Sequence, residues 1–356
     1  MTISTLVDQT IAAISPLDAD AVAAAEARQG VLTKPPGSLG RLEYLSVQLA
    51  GIFGRPIPQV TGKAVIVVAG DHGVASEGVS AYPAEVTPQM VFNFLAGGAA
   101  INALARHAGA DITVIDAGVA VDLEPQPGLT IAKVGYGAGN IAAGPAMSRA
   151  DAIRCLEIGI AAANERADAG ANLIAGGDMG IGNTTPSAAI TATITGADAA
   201  DVTGRGTGVD DDALAAKIAT IRRALEVNRP DGNDGLDVLM KVGGYEIGVL
   251  AGVMLGAASR NCAVIVDGFI SGAAALIAWR ICPAVAERMI AAHRSVEPGH
   301  NVGLQAMRLT PLLDMEMRLG EGTGAALAMH IVEAAAKCLA EMATFAEAGV
   351  SDRDDG

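Results

Sequence analysis

Four stretches of the chain combine bare backbone with side chains able to do chemistry. "GGDMGIGNTT" (176–185) follows the apolar run "ANLI" and sets one carboxylate, Asp178, and one amide, Asn183, among four glycines. A glycine-rich turn between a strand and a helix aims backbone N–H groups and a helix N-terminus at an anion, usually phosphate; it serves equally as a tight turn with no ligand. "VTGRGTGVDD" (202–211) is a second loop of this kind, followed by a helix carrying Lys217. Two such loops make a phosphate cradle a better reading than either alone, although Asp210 or Asp211 also fits as a plain helix N-cap. "RLGEGTGAALAMHIV" (318–332) places Glu321 between glycines ahead of a helix. The helix dipole favours a carboxylate there, and burial would be needed to raise its pKa enough for it to act as a base. "VVAGDHGV" (67–74) sets Asp71 beside His72, a pairing that metal-dependent phosphohydrolases use to share a cation. With five histidines in the chain, none at HExxH spacing, and no GNHD-like segment, a metal ligand set is not expected. A structural or substrate-shaping role for Asp71 and His72 is expected instead.

These residues need a frame, and the hydrophobic pattern supplies one. From Lys63 onward, short apolar runs end in glycine and alternate with helical segments. "KAVIVVAG" ends at Gly70, "ADITVIDAG" at Gly118, "ANLIAGG" at Gly177 and "CAVIVDG" at Gly268. Helices are predicted over 88–107, 148–169, 185–195, 211–228, 245–259 and 269–281. The alternation predicts an α/β fold with a doubly wound, mainly parallel, Rossmann-like sheet. In such folds ligands bind beyond the carboxyl ends of the strands, which puts Asp71, Asp116, Asp178 and Asp267 along one rim. Residues 121–145, rich in Gly and Pro, read as a long excursion. A large α/β domain is expected over 60–282. Residues 1–59 and 283–350 are expected to form a smaller, mainly helical domain, in which the long C-terminal helix returns to the N-terminal ones. Residues 351–356 read as a frayed tail.

Composition excludes several classes of function. The 356 residues carry a formal net charge of −15 and only 3% aromatics, so neither a basic stripe for nucleic-acid phosphates nor a stacking platform for bases is present. The N-terminus lacks the basic and then apolar pattern of a signal peptide. The apolar stretch 245–278 is interrupted by Arg260, Asn261 and Asp267, and so reads as buried core rather than membrane span. Cys155, Cys262, Cys282 and Cys338 are scattered with no CxxC pair, as expected of a reduced, cytoplasmic protein.

Nine segments occur together in a fixed order: "KPPGSLGRLE", "AGDHGV", "YPAEVTPQMV", "GGDMGIGNTT", "GRGTGVDD", "VGGYEIGVLAG", "VDGFISGAAAL", "SVEPGH" and "LGEGTGAAL". From about Lys34 to the C-terminal helix the chain resembles the nicotinate-nucleotide–dimethylbenzimidazole phosphoribosyltransferase family of cobalamin nucleotide-loop assembly. The resemblance implies transfer of 5-phosphoribose from nicotinate mononucleotide to 5,6-dimethylbenzimidazole with inversion at C1′. The products would be α-ribazole 5′-phosphate and nicotinate. It further implies a homodimer with no metal and no organic cofactor. Glu321 looks like the family's catalytic base, Asp178 stands where the family usually has glutamate, and Lys217 matches its lysine after "GTG". Tyr82, Gln89 and Met179 are expected around the aromatic base. Gly177, Gly180, Gly182, Asn183, Thr184 and Gly206 are expected to bind the substrate through the two loops, Asp267 to hold ribose hydroxyls, and Ser295 to reach phosphate. A metal-dependent phosphohydrolase built on GDHG and a non-catalytic nucleotide-binding protein are the competing readings.

Overall fold

The computed structural model describes residues 3–206, 208 and 210–351; the expected frayed tail therefore lies outside the described residues except for Ser351. The four apolar runs form strands as expected, and two short strands join them. They are β1 (Lys63–Gly70), β2 (Asp111–Gly118), β3 (Leu129–Ile131), β4 (Leu173–Met179), β5 (Ala263–Val266) and β6 (Met289–Ala291). Among the described residues they make one sheet in the order β3-β2-β1-β4-β5-β6, with every neighbouring pair parallel. The strand order reverses between β1 and β4, which opens a crevice at their carboxyl ends.

Helices cover both faces. α1 (Thr5–Ala13), α2 (Ala19–Val31) and α3 (Arg41–Phe53) precede β1; α4 (Val86–Leu95) and α5 (Ala100–Ala108) link β1 to β2; α6 (Arg149–Asp168) leads into β4. Between β4 and β5 run α7 (Thr184–Thr195), α8 (Ala199–Val202), α9 (Asp211–Asn228), α10 (Gly235–Val242) and α11 (Tyr245–Ser259). α12 (Phe269–Ile281) connects β5 to β6, and α13 (Pro298–Ala306), α14 (Thr323–Glu341) and α15 (Phe345–Ala348) complete the chain. Because side chains alternate along a strand, β1 serves two cores. Ile66 and Val68 pack with α6, α11 and α12 on one face. Val65, Val67 and Ala69 pack with α3, α5 and α14 on the other.

Several expectations change in detail. The helix predicted over 88–107 is two helices, because Gly97 adopts a left-handed φ of +77° and Asn102 caps the new start by accepting from the Ala99 N–H. The excursion 121–145 holds β3, and the sheet runs past residue 282 because β6 pairs with β5. α14 packs against α3 and α2, and it also lies on the sheet against β4 and β5. The apolar stretch 245–278 becomes α11, β5 and α12, with Tyr245–Ala258 and Phe269–Ala278 buried throughout.

Candidate active site

At the carboxyl ends of β4, β5 and β6 a cleft of about 540 Å³ opens. One wall is apolar: Tyr82, Val86 and Met90 lie on or just before α4, and Met179 and Ile181 follow from β4. Phe269 and Ile270 at the start of α12 extend it. The opposite end is polar, with Asn183, Thr184, Gly206, Ser295, Glu297 and Arg318. Four titratable side chains on the lining are almost wholly buried: Asp178, His293, Glu297 and Glu321.

Asp178 is the penultimate residue of β4. Its Oδ2 accepts a hydrogen bond from the Asn183 amide at 2.9 Å, while Oδ1 is buried without a partner. Burial pushes its pKa up to about 8, helped by the negative charges of Asp267, Glu246 and Glu321 and opposed by the Asn183 bond. Asp178 is therefore mainly protonated at neutral pH.

Glu321 sits just before α14 with a left-handed backbone, φ +61°, between Gly320 at +82° and Gly322 at +88°. Such a run turns the chain sharply and drops the loop onto β4, where a Cβ at Gly177 would collide with the Glu321 carbonyl. Its carboxylate Oε2 accepts from the Ile101 N–H at the start of α5, at 3.3 Å. Burial raises its pKa, the Ile101 bond opposes that, and the charge of Asp267 adds to it.

The polar end is organised by Lys217 on α9, which is itself buried. Its Nζ donates to Thr184 Oγ1 at 2.7 Å and to the Gly204 carbonyl at 3.3 Å. Burial lowers its pKa to about 8, with Glu297 acting the other way. Gly206 is held from two sides: its N–H donates to Glu297 Oε1 at 2.8 Å, and its carbonyl accepts from Arg318 at 3.0 Å. Arg318 brings a guanidinium to the cleft edge, where it matches the planar geometry of a carboxylate or phosphate.

Of the residues expected at the site, Tyr82, Asp178, Met179, Gly180, Asn183, Thr184, Gly206, Ser295 and Glu321 line this cleft. Gln89, Gly177, Gly182, Lys217 and Asp267 do not. Gln89 is exposed on α4, one residue from the lining Met90. Gly182 supplies a left-handed turn, φ +89°, with its open side toward Ala75. Lys217 stands behind Thr184 and Gly206. Asp267 is fully buried and caps α14, its Oδ1 accepting from the Ala325 N–H at 2.7 Å. Asp71 and Asp116, expected on the same rim, hold the turn after β2 by accepting from the Ala120 and Val119 N–H groups. Sequence reasoning missed His293, Glu297 and Arg318 as lining residues. "SVEPGH" and "RLGEGTG" contained the last two, but only the chain's return through β6 brings them to the cleft. Among the described residues no group of three or more His, Cys, Asp or Glu could hold a metal ion.

A doubly wound parallel sheet with a part-apolar, part-polar cleft beyond its carboxyl ends is the architecture of α/β proteins that bind small molecules at a topological switch point. The family model described as Phosphoribosyltransferase matches residues 14–350, and the chain belongs to that family. It is 62% identical over 348 residues to the nicotinate-nucleotide–dimethylbenzimidazole phosphoribosyltransferase of Roseiflexus sp. (strain RS-1), covering 98% of this chain and 99% of the relative. The enzyme of the same name from Chloroflexus aggregans is 60% identical over 350 residues, with the same coverage. The crystal structure of the nicotinate-nucleotide–dimethylbenzimidazole phosphoribosyltransferase from Thermus thermophilus superposes with a TM-score of 0.91 at 46% identity, covering 95% of this chain and all of that one.

Proposed function

We propose that the protein transfers 5-phosphoribose from nicotinate mononucleotide to 5,6-dimethylbenzimidazole, with inversion at C1′, giving α-ribazole 5′-phosphate and nicotinate. The observation that carries the reading is Glu321: a buried carboxylate on the wall of a cleft with an apolar slot beside it and hydroxyl, amide and guanidinium donors opposite. The flat benzimidazole enters between Tyr82, Met90 and Met179. The phosphate takes the polar end, at Thr184, Ser295 and Arg318, with Lys217 fixing Thr184 from behind.

The chemistry follows from the charges. The nicotinate nitrogen is a pyridinium in the nucleotide, so when the C1′–N bond breaks its electrons neutralise that nitrogen and no acid is required. One benzimidazole nitrogen attacks C1′ from the opposite face, and Glu321 accepts the proton that the other nitrogen releases. A nearby carboxylate gains most as the base becomes cationic, which favours the transition state over the ground state. Asp178, protonated at neutral pH, donates a hydrogen bond and does not compete for that proton. Holding the two rings face to face supplies orientation. We also propose a homodimer, for which the exposed apolar side chains Tyr82 and Leu319 on the cleft lining offer contact surface.

Incubating the pure protein with nicotinate mononucleotide and 5,6-dimethylbenzimidazole, then identifying products by mass and anomeric configuration, tests the reading. Nicotinate and the α-anomer are expected. Release of inorganic phosphate would instead point to a phosphohydrolase, and unchanged nucleotide to a non-catalytic binder.

A further inference from the structure

The GDHG stretch has no part in the chemistry above, yet its histidine is buried directly behind the cleft. His72 Nε2 lies 2.6 Å from Glu246 Oε1, and the two side chains are 2% and 0% exposed. His72 follows β1 and Glu246 stands in the first turn of α11, so one hydrogen bond ties the end of the central strand to the start of a core helix. Backbone closes around the pair. A Cβ at Gly244 would run into the His72 ring and lie 2.9 Å from Glu246 Oε2, and one at Gly70 would lie 3.0 Å from the same oxygen. A Cβ at Gly180, which lines the cleft, would lie 3.3 Å from His72 Nε2. The pair therefore backs onto the turn that carries Asp178 and Met179.

Glu246 Oε2 has no hydrogen-bond partner. An unsatisfied buried carboxylate oxygen is costly, and such groups concentrate where a charge is used. The groups that bear on Asp178 are Asp267 after β5, Glu246 on α11, Glu321 before α14 and the Asn183 amide. Glu246 is hydrogen-bonded to the side chain of a residue on another element, His72.

We propose that His72 and Glu246 are positioning residues for the cleft: their hydrogen bond seats the Asp178–Gly180 turn against the end of β1 and holds the Glu246 carboxyl group in place behind it. The kinetic part of this proposal rests on the transferase reading; the structural part does not.

Two variants test it. Glu246→Gln keeps an oxygen to accept from His72 and removes the charge; His72→Ala removes the clamp. Carboxyl ¹³C NMR, with the Asp178 signal assigned by its loss in Asp178→Asn, follows the titration of Asp178 whether or not the protein turns over. In Glu246→Gln its midpoint should fall by roughly one unit from about 8. The alkaline limb of the kcat profile should move to lower pH with it. In His72→Ala, kcat should fall by roughly 10-fold or more while KM for nicotinate mononucleotide changes less, as expected when reacting groups are misplaced rather than lost. If both variants only lower Tm and leave the Asp178 midpoint and the pH profile as in wild type, the pair is a structural tie and the proposal fails. If the wild type releases no nicotinate, the transferase reading fails, and the NMR midpoint in Glu246→Gln still decides the role of the pair.

Discussion

Glu321 occupies a backbone conformation that side chains other than glycine rarely adopt, at a cost on the order of 1 kcal/mol. The loop holds it there because Gly177 presses from beneath and the Ile101 N–H engages the carboxylate. Glu321→Gln preserves shape and one acceptor while removing charge and basicity. Turnover should drop by about 10²–10⁴, the usual contribution of a positioned acid–base group. Affinity for nicotinate mononucleotide, measured by calorimetry, should change little. Asp178→Asn should cost less, since Asp178 already works in its neutral form. Near-normal turnover in Glu321→Gln alongside a dead Asp178→Asn would exchange the two roles. At this scale the sequence was informative wherever a side chain stood alone among glycines, as Glu321 and Asp178 do. It was silent where a role depends on a distant partner: Gly206 and Glu297 are 91 positions apart, His72 and Glu246 174.

The glycines of "GGDMGIGNTT" matter at the scale of elements. Gly177 and Gly180 face other backbone, the Glu321 carbonyl and the Gly70 carbonyl respectively, so their lack of a side chain lets a loop and a strand end close on β4. Gly177→Ala should force the 320–322 loop off β4. A fall in Tm of several degrees and a loss of kcat should follow together, with nucleotide affinity largely kept because Gly177 lies outside the cleft. Normal Tm with lost nucleotide affinity would return Gly177 to a ligand-binding role. The strands legible in sequence were those with long Val- and Ile-rich runs ending in glycine. β3 and β6 have three residues each, too few to carry a period, and they form because neighbouring strands offer open edges. The break inside 88–107 came from Gly97-Gly98 within an otherwise periodic pattern, where a single left-handed residue outweighed the apolar spacing.

For the whole molecule, the cleft is a source of instability. Asp178, Asp267 and Glu321 each have pKa values raised first by burial, so the folded state keeps protons that the unfolded chain releases. The stability they contribute is complete below the unfolded carboxylate pKa near 4, and it is lost as pH rises through the folded values, about 8 for Asp178. Each unit between the two midpoints corresponds to about 1.4 kcal/mol. Asp178→Asn removes one of these ionisations, and its amide oxygen can still accept from Asn183. Near pH 4 or below, where Asp178 is largely neutral in the folded and the unfolded chain alike, the variant should melt within about 1 °C of wild type. Between about pH 4 and 8 its advantage should grow to several degrees and then level off, while turnover at neutral pH stays below wild type, as expected when a functional site is held at the expense of stability. Calorimetric melting across this pH range measures the difference directly. A gain independent of pH would mean that Asp178 is not the group losing its proton, and would remove the basis for assigning it the neutral, hydrogen-bond-donating role beside Glu321.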